Sequence, residues 1–162
     1  MARGAKEALV VAAGGGAALA GAGIAGVGVW AHRESRRTLA RERIVVDDSG
    51  ARRLVDGPRA ARALAAVIRN GTLESTQGRT YAETAEYLAA DGTPTSDAAA
   101  ALEDPLTGTP VRNPDADLWV RSTSLQTALN QAYLAFRLAD LMVGMGLALV
   151  ATGVGLAAAA RG

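Results

Sequence analysis

Residues 141–160 read LMVGMGLALVATGVGLAAAA, twenty positions without a charged side chain. As an α-helix they would measure about 30 Å, the thickness of a bilayer's hydrocarbon core. A second uncharged run fills residues 8–31, ALVVAAGGGAALAGAGIAGVGVWA, and would measure about 36 Å. Its seven glycines and nine alanines make it the less hydrophobic of the two. Glycine costs about 1 kcal/mol against alanine in a water-exposed helix. The penalty softens in lipid, where every backbone group must be satisfied within the segment. The sequence therefore predicts a mainly α fold: two transmembrane helices, at 8–31 and 141–160, flank a small helical polar domain at 32–140, with short tails at 1–7 and 161–162.

Both spans carry small residues four apart: Gly14, Ala18, Ala22 and Gly26 on the first, Gly144, Ala148 and Thr152 on the second, with Ala151, Gly155 and Ala159 as a further row. Such spacing lets helix backbones approach closely where lipid gives no hydrophobic drive to association. The spans are expected to pack on each other or on a partner, although glycine- and alanine-rich sequence also produces the spacing by chance. Trp30, Trp119, Tyr133 and Phe136 are expected to mark the bilayer interface on the loop side. Arg3 and Lys6 before an apolar run that includes Ala20-Gly21-Ala22 also resemble a cleavable signal peptide, but the uncharged stretch exceeds the usual length. GAGIAG at 21–26 satisfies G-x-G-x-x-G without the alternating strands and helices of a dinucleotide fold.

The chain has 17 basic and 16 acidic residues, net +1, and no cysteine. Near-neutrality gives no electrostatic reason to expect nucleic acid as a partner, and the absence of cysteine excludes disulfides and thiolate chemistry. Fourteen of the sixteen arginines lie between the two uncharged runs.

In the polar domain, HRESRRTLARER (32–43) reads as a helical extension of the first span. Ile44-Val45-Val46 is a short β-prone run ended by the turn composition Asp47-Asp48-Ser49-Gly50. Gly57-Pro58 opens a helix with Ala60, Leu64, Val67 and Ile68 on one face, stopped by Gly71. A third helix is expected from Tyr81 to Ala90, with Thr80 as N-cap and Glu83 in the reciprocal capping position. Residues 91–117 hold four of the five prolines and read as a loop or lid, with one short helix at Asp97–Glu103. From Leu118 a single helix, with Leu125, Leu129, Tyr133 and Phe136 as its apolar stripe, enters the second span. Arg137 and Asp140, three apart, are expected to pair at the interface, where an isolated charge is costly.

VDGPRAARALAAVIRNGTLESTQGRTYAET (55–84) and STSLQTALNQAYLAFRLADLMVGMG (122–146) resemble a family of small actinobacterial two-span membrane proteins of unknown function. The matching features are the helix start Gly57-Pro58, the element Gly78-Arg79-Thr80-Tyr81-Ala82-Glu83, and a Ser-Leu-Gln helix leading into the second span. Residues 85–117 look like an insertion relative to shorter members. Some members are described as aromatic ring-opening dioxygenases. Such enzymes use an iron site, usually two histidines and a carboxylate, and this chain has one histidine.

That histidine, His32, ends the first span and is expected to be solvated. Asn113, Asp115 and Asp117 imitate the opening of an EF-hand loop, but Leu118 stands at its glycine position and Ser124 at its bidentate glutamate position. Glu83 and Glu86 are three apart, and capping explains them as well as acid–base work does. No metal, cofactor or catalytic residue is assigned.

Arg33, Arg36, Arg37, Arg41 and Arg43 outweigh Arg3 and Lys6 across the first span, which favours a cytoplasmic loop with both termini outside. The same arginines could contact anionic headgroups. The expectation is a multi-pass protein of the cell membrane, non-enzymatic, acting as an accessory or assembly subunit that binds a membrane-protein partner or its own copy. A transport or channel component, with glycine-rich helices lining a path and Arg137 and Asp140 gating it, is the alternative.

Overall fold

The computed structural model describes residues 2–48 and 51–161. Helix α1 (Ala2–Arg41) is followed by β1 (Val45–Asp48), β2 (Ala51–Leu54), α2 (Pro58–Ser75), β3 (Tyr87–Leu88), β4 (Pro94–Thr95) and α3 (Pro114–Ala159). The fold is mainly α, as expected. The chain divides into two compact units, one of residues 1–58 and 132–162, the other of residues 59–131.

In the first unit α1 runs without a break through its seven span glycines and the arginine-rich extension, ending where Arg43 takes a left-handed φ of 48°. β1 and β2 pair antiparallel, Val45 opposite Leu54 and Asp48 opposite Ala51. Ser49 and Gly50, half of the expected turn, lie outside the described residues.

The two long helices of this unit meet backbone to backbone. A methyl group added at Gly14 would lie 2.5 Å from the Gly153 carbonyl oxygen; one at Gly21 would lie 2.5 Å from that of Gly146; one at Gly28 would lie 2.8 Å from that of Ala139. The partners descend as the glycines ascend, so the helices are antiparallel. Gly14/Gly153 and Gly21/Gly146 are reciprocal, each carbonyl facing the other glycine's α-carbon. This is the arrangement of Cα–H···O contacts at close helix crossings.

The seam therefore advances by seven residues, not four: Gly14, Gly21 and Gly28 against Ala139, Gly146 and Gly153, all buried. Of the expected stripes, Gly14 lies on it and Ala18 touches Gly153, while Gly26, Gly144 and Gly155 face open space and Ala22, Ala148 and Thr152 are exposed. Two helices wound around each other keep contact at a period of about 3.5 residues, which a spacing of four leaves after one or two turns.

The second unit departs further from expectation. α2 passes Gly71 and ends in a Schellman cap, Gly78 N–H donating to the Leu73 carbonyl at 2.7 Å and Gln77 N–H to that of Glu74 at 3.2 Å, with Gln77 and Gly78 both at positive φ. Its buried line is Ala61, Ala65 and Thr72, and Val67 points outward. The helix expected at Tyr81–Ala90 is one 3₁₀ turn, Tyr81–Glu83. After it the chain extends, because Leu88 N–H bonds to the Val111 carbonyl and Asn113 N–H to that of Glu86. Asp91-Gly92 then turns β3 back into β4, with Gly92 at φ 82°.

The expected loop or lid at 91–117 is held by isolated bridges Tyr87↔Arg112, Ala89↔Ala101 and Glu103↔Pro110. Its short helix shrinks to Ala98–Ala100, capped by Asp97. α3 starts four residues before Leu118, at Pro114, with the Asn113 side chain accepting from Asp115 N–H at 3.0 Å. Of the expected apolar stripe, Leu129 and Phe136 are buried and Leu125 is exposed.

The open glycines make the natural control for the seam. Gly21→Leu or Gly146→Leu drives a side chain into opposing backbone and should destabilise the hairpin by about 1–3 kcal/mol or more, whereas Gly26→Leu and Gly144→Leu should change little. Thermal unfolding of the detergent-solubilised chain measures the difference.

Candidate functional site

Past the last glycine contact, the loop-side end of the hairpin carries the chain's one histidine. His32 Nδ1 lies 3.1 Å from Asp140 Oδ1, and its ring meets Phe136 edge-on, centroids 5.0 Å apart at 68°. Phe136 is fully buried. The expected Arg137–Asp140 pair does not form: the Asp140 carboxylate is turned to His32, and Arg137 has no ion-pair partner among the described residues. His32 in turn is partnered rather than simply solvated. The reason is register, since the glycine seam sets His32 against residues 136 and 140, a placement that spacing along one helix cannot reveal. On the same end Arg36 pairs with Asp56 at 2.9 Å, and Arg37 lies 3.6 Å from Glu34. Trp30 is 64% exposed.

The second unit holds the Gly78–Glu83 element of the family resemblance. Gly78 supplies the left-handed cap of α2. The Arg79 carbonyl accepts from Thr76 Oγ1 at 2.6 Å and from the Trp119 indole N–H at 3.0 Å, and its guanidinium pairs with Asp115 at 2.8 Å. Glu83 accepts from Thr80 N–H at 2.7 Å and from Thr80 Oγ1 at 2.8 Å. These bonds to the charged form hold the Glu83 carboxyl below the usual carboxylate range, backbone donor first. Tyr81 is more than half exposed. Gly57 precedes the Pro58 that occupies the first position of α2.

Arg112 donates to Asp117 at 2.8 Å and to Glu86 at 3.3 Å, joining the bridged layer to the first turn of α3. Asp117 and then Glu86 stabilise the Arg112 cation and raise its pKa. Asn113, Asp115 and Asp117 thus serve as cap and ion-pair residues. Trp119, expected at an interface, is instead 4% exposed, its N–H satisfied by a backbone carbonyl.

Comparison with known protein-family profiles, curated proteins and solved structures returns no match. What the geometry itself establishes is two helices long and apolar enough to cross a membrane, covering Gly4–Arg41 and Pro114–Ala159. Among the described residues no group of three or more His, Asp or Glu side chains could hold a metal. Among the described residues no hydroxyl hydrogen-bonds to His32 to complete a nucleophilic triad. A shallow, largely apolar groove near the chain ends is lined by Lys6, Glu7, Val10, Leu156, Ala159 and Ala160.

Sequence reasoning missed Gly21, Gly28, Gly146, Gly153 and His32. The signal for the glycines was present as the seven-residue intervals 14-21-28 and 146-153. For His32 there was none, because its partner is 108 residues away.

The capped turn yields a pH prediction. A carboxyl whose folded pKa is depressed contributes stability above its unfolded value and loses it as pH falls through the folded value. Amide exchange at residues 80–84 should therefore accelerate, relative to the rest of the unit, once pH drops below the ordinary carboxylate range. Glu83→Ala, which removes the acceptor, should exchange fast throughout and show no such step.

Proposed function

We propose that this chain is a two-span integral membrane protein of the cell membrane that acts as a non-catalytic accessory or assembly subunit. The observation that carries the reading is the inverted packing of the hairpin. Its contact line is glycine and alanine, while Leu9, Leu19 and Leu134 are 71%, 78% and 62% exposed. In water that arrangement would forfeit about 25 cal/mol for every Å² of aliphatic surface left outside. In lipid it is favourable, because close backbone packing is the interaction still available between helices. A water-soluble protein hides its apolar helix, and here only 11% of each apolar window is buried.

The partner role draws on the glycines that face outward, Gly23, Gly26 and Gly144, which leave room for a second protein's helix or for another copy. It draws equally on a polar unit whose charged clusters are spent on holding its own turns together. Membership of the small actinobacterial two-span family belongs to the same proposal. The bilayer is the first partner; no nucleic acid and no cofactor are invoked. Conduction along the glycines is disfavoured by the seam, where even a methyl group would meet opposing backbone within 2.8 Å.

Carbonate washing tests the first half of this reading: the full-length chain should stay with the membrane pellet, and release into the supernatant would end it. Chemical crosslinking followed by mild-detergent purification tests the second, with a stoichiometric partner or homo-oligomer expected and an isolated monomer counting against it.

A further inference from the structure

Two arginines at the loop-side end of the hairpin stand outward with no ion-pair partner among the described residues. At about 100° per residue, Arg33 lies within about 60° of the Trp30 line, and the buried Gly21 and Leu39 fall about 180° from that line. On α3, Arg137 is about 180° from the buried Gly146. It is exposed, with Leu134, Leu138 and Leu141 each more than half exposed around it. The anions nearby are committed elsewhere: Asp140 to His32, Asp56 to Arg36, and Glu34 toward Arg37. Arg33 and Arg137 have no ion-pair partner among the described residues.

If these two outward faces meet lipid, Trp30 sets the depth of the interface, and the contact of His32 with Phe136 and Asp140 puts Arg33 and Arg137 at a similar level on the two helices. A guanidinium among exposed leucines at that depth lacks a counter-charge. Its aliphatic stem can lie along the apolar face while the head reaches the headgroup layer. Phosphate suits the planar donor fork of arginine, which forms bidentate hydrogen bonds to its oxygens.

We propose that Arg33 and Arg137 form two anionic-phospholipid positions, one on the outer side of each helix, each holding the phosphate of an acidic headgroup beside the hairpin. The inference rests on the two-span reading and specifies the lipid class which that end of the molecule selects. Arg36 is excluded from the site by its bond to Asp56.

The test uses the full chain reconstituted in vesicles of equal phosphatidylcholine and phosphatidylglycerol, released in mild detergent and weighed by native mass spectrometry. Wild-type protein should retain phosphatidylglycerol over phosphatidylcholine by about fivefold for each arginine contact. Arg33→Gln with Arg137→Gln should bring the ratio to about one, while Arg33→Lys with Arg137→Lys and the control Arg36→Gln should keep a clear preference. Equal retention by the wild type, or a preference that survives the double glutamine variant, overturns the site. Loss of bound lipid on adding inorganic phosphate overturns the lipid as its occupant. Quenching of Trp30 fluorescence by brominated phosphatidylcholine, read as the difference from Trp30→Phe, separates the two levels of the argument. No quenching removes the two-span reading together with the site, and quenching without lipid preference removes the site alone.

Discussion

Contact between bare helix backbones is the constraint from which the first unit follows. With glycine at 14, 21 and 28 facing Ala139, Gly146 and Gly153, the helices approach more closely than side-chain-bearing helices can. Glycine in a helix is a liability in water; here it is what permits the contact. With the closest approaches made by residues without bulk, most of the large apolar side chains of both helices lie outside them, although Val143 and Leu149 reach the seam at Gly28 and Gly21. The hairpin is consequently apolar on its outside, and its preferred surroundings are decided by its own packing.

The same register distributes the charges at the loop-side end. It sets His32 opposite Asp140 and Phe136, and in satisfying that carboxylate it deprives Arg137 of a neighbour three residues along the helix. The pair is partly exposed, and in water such a contact is worth at most about 1 kcal/mol. Its effect is therefore more on which charged groups are paired than on stability. In the second unit the distinctive Gly78–Glu83 element is accounted for by structure: a left-handed cap, a carbonyl serving two donors, an ion pair and a capped turn. Those side chains are engaged in holding α2 to the start of α3 and in capping the turn between them.

Legibility followed the range of the interaction. Uncharged runs, the Gly-Pro helix start, the Thr80–Glu83 cap and the β-prone stretch at residue 45 depend on neighbours within a few positions, and all were readable. Tyr81–Ala90 failed because the local helix start at Thr80–Glu83 was outweighed by bonds from Leu88 and Glu86 to residues 111 and 113. Asp91-Gly92 was the overlooked hairpin signal. Trp119 resembled an interface anchor in isolation, and only the Arg79 carbonyl shows why it is buried.

By itself the sequence determined that two segments are long and apolar enough to span a bilayer, that they are rich in small residues, and that a polar stretch lies between them. These are properties of composition and length, so no partner is needed to read them. The tertiary structure decided which small residues touch, which carboxylate takes the histidine and which arginines are left over. Each of those depends on the alignment of two antiparallel helices more than a hundred residues apart in sequence, and a seven-residue repeat admits several alignments until backbone contact selects one.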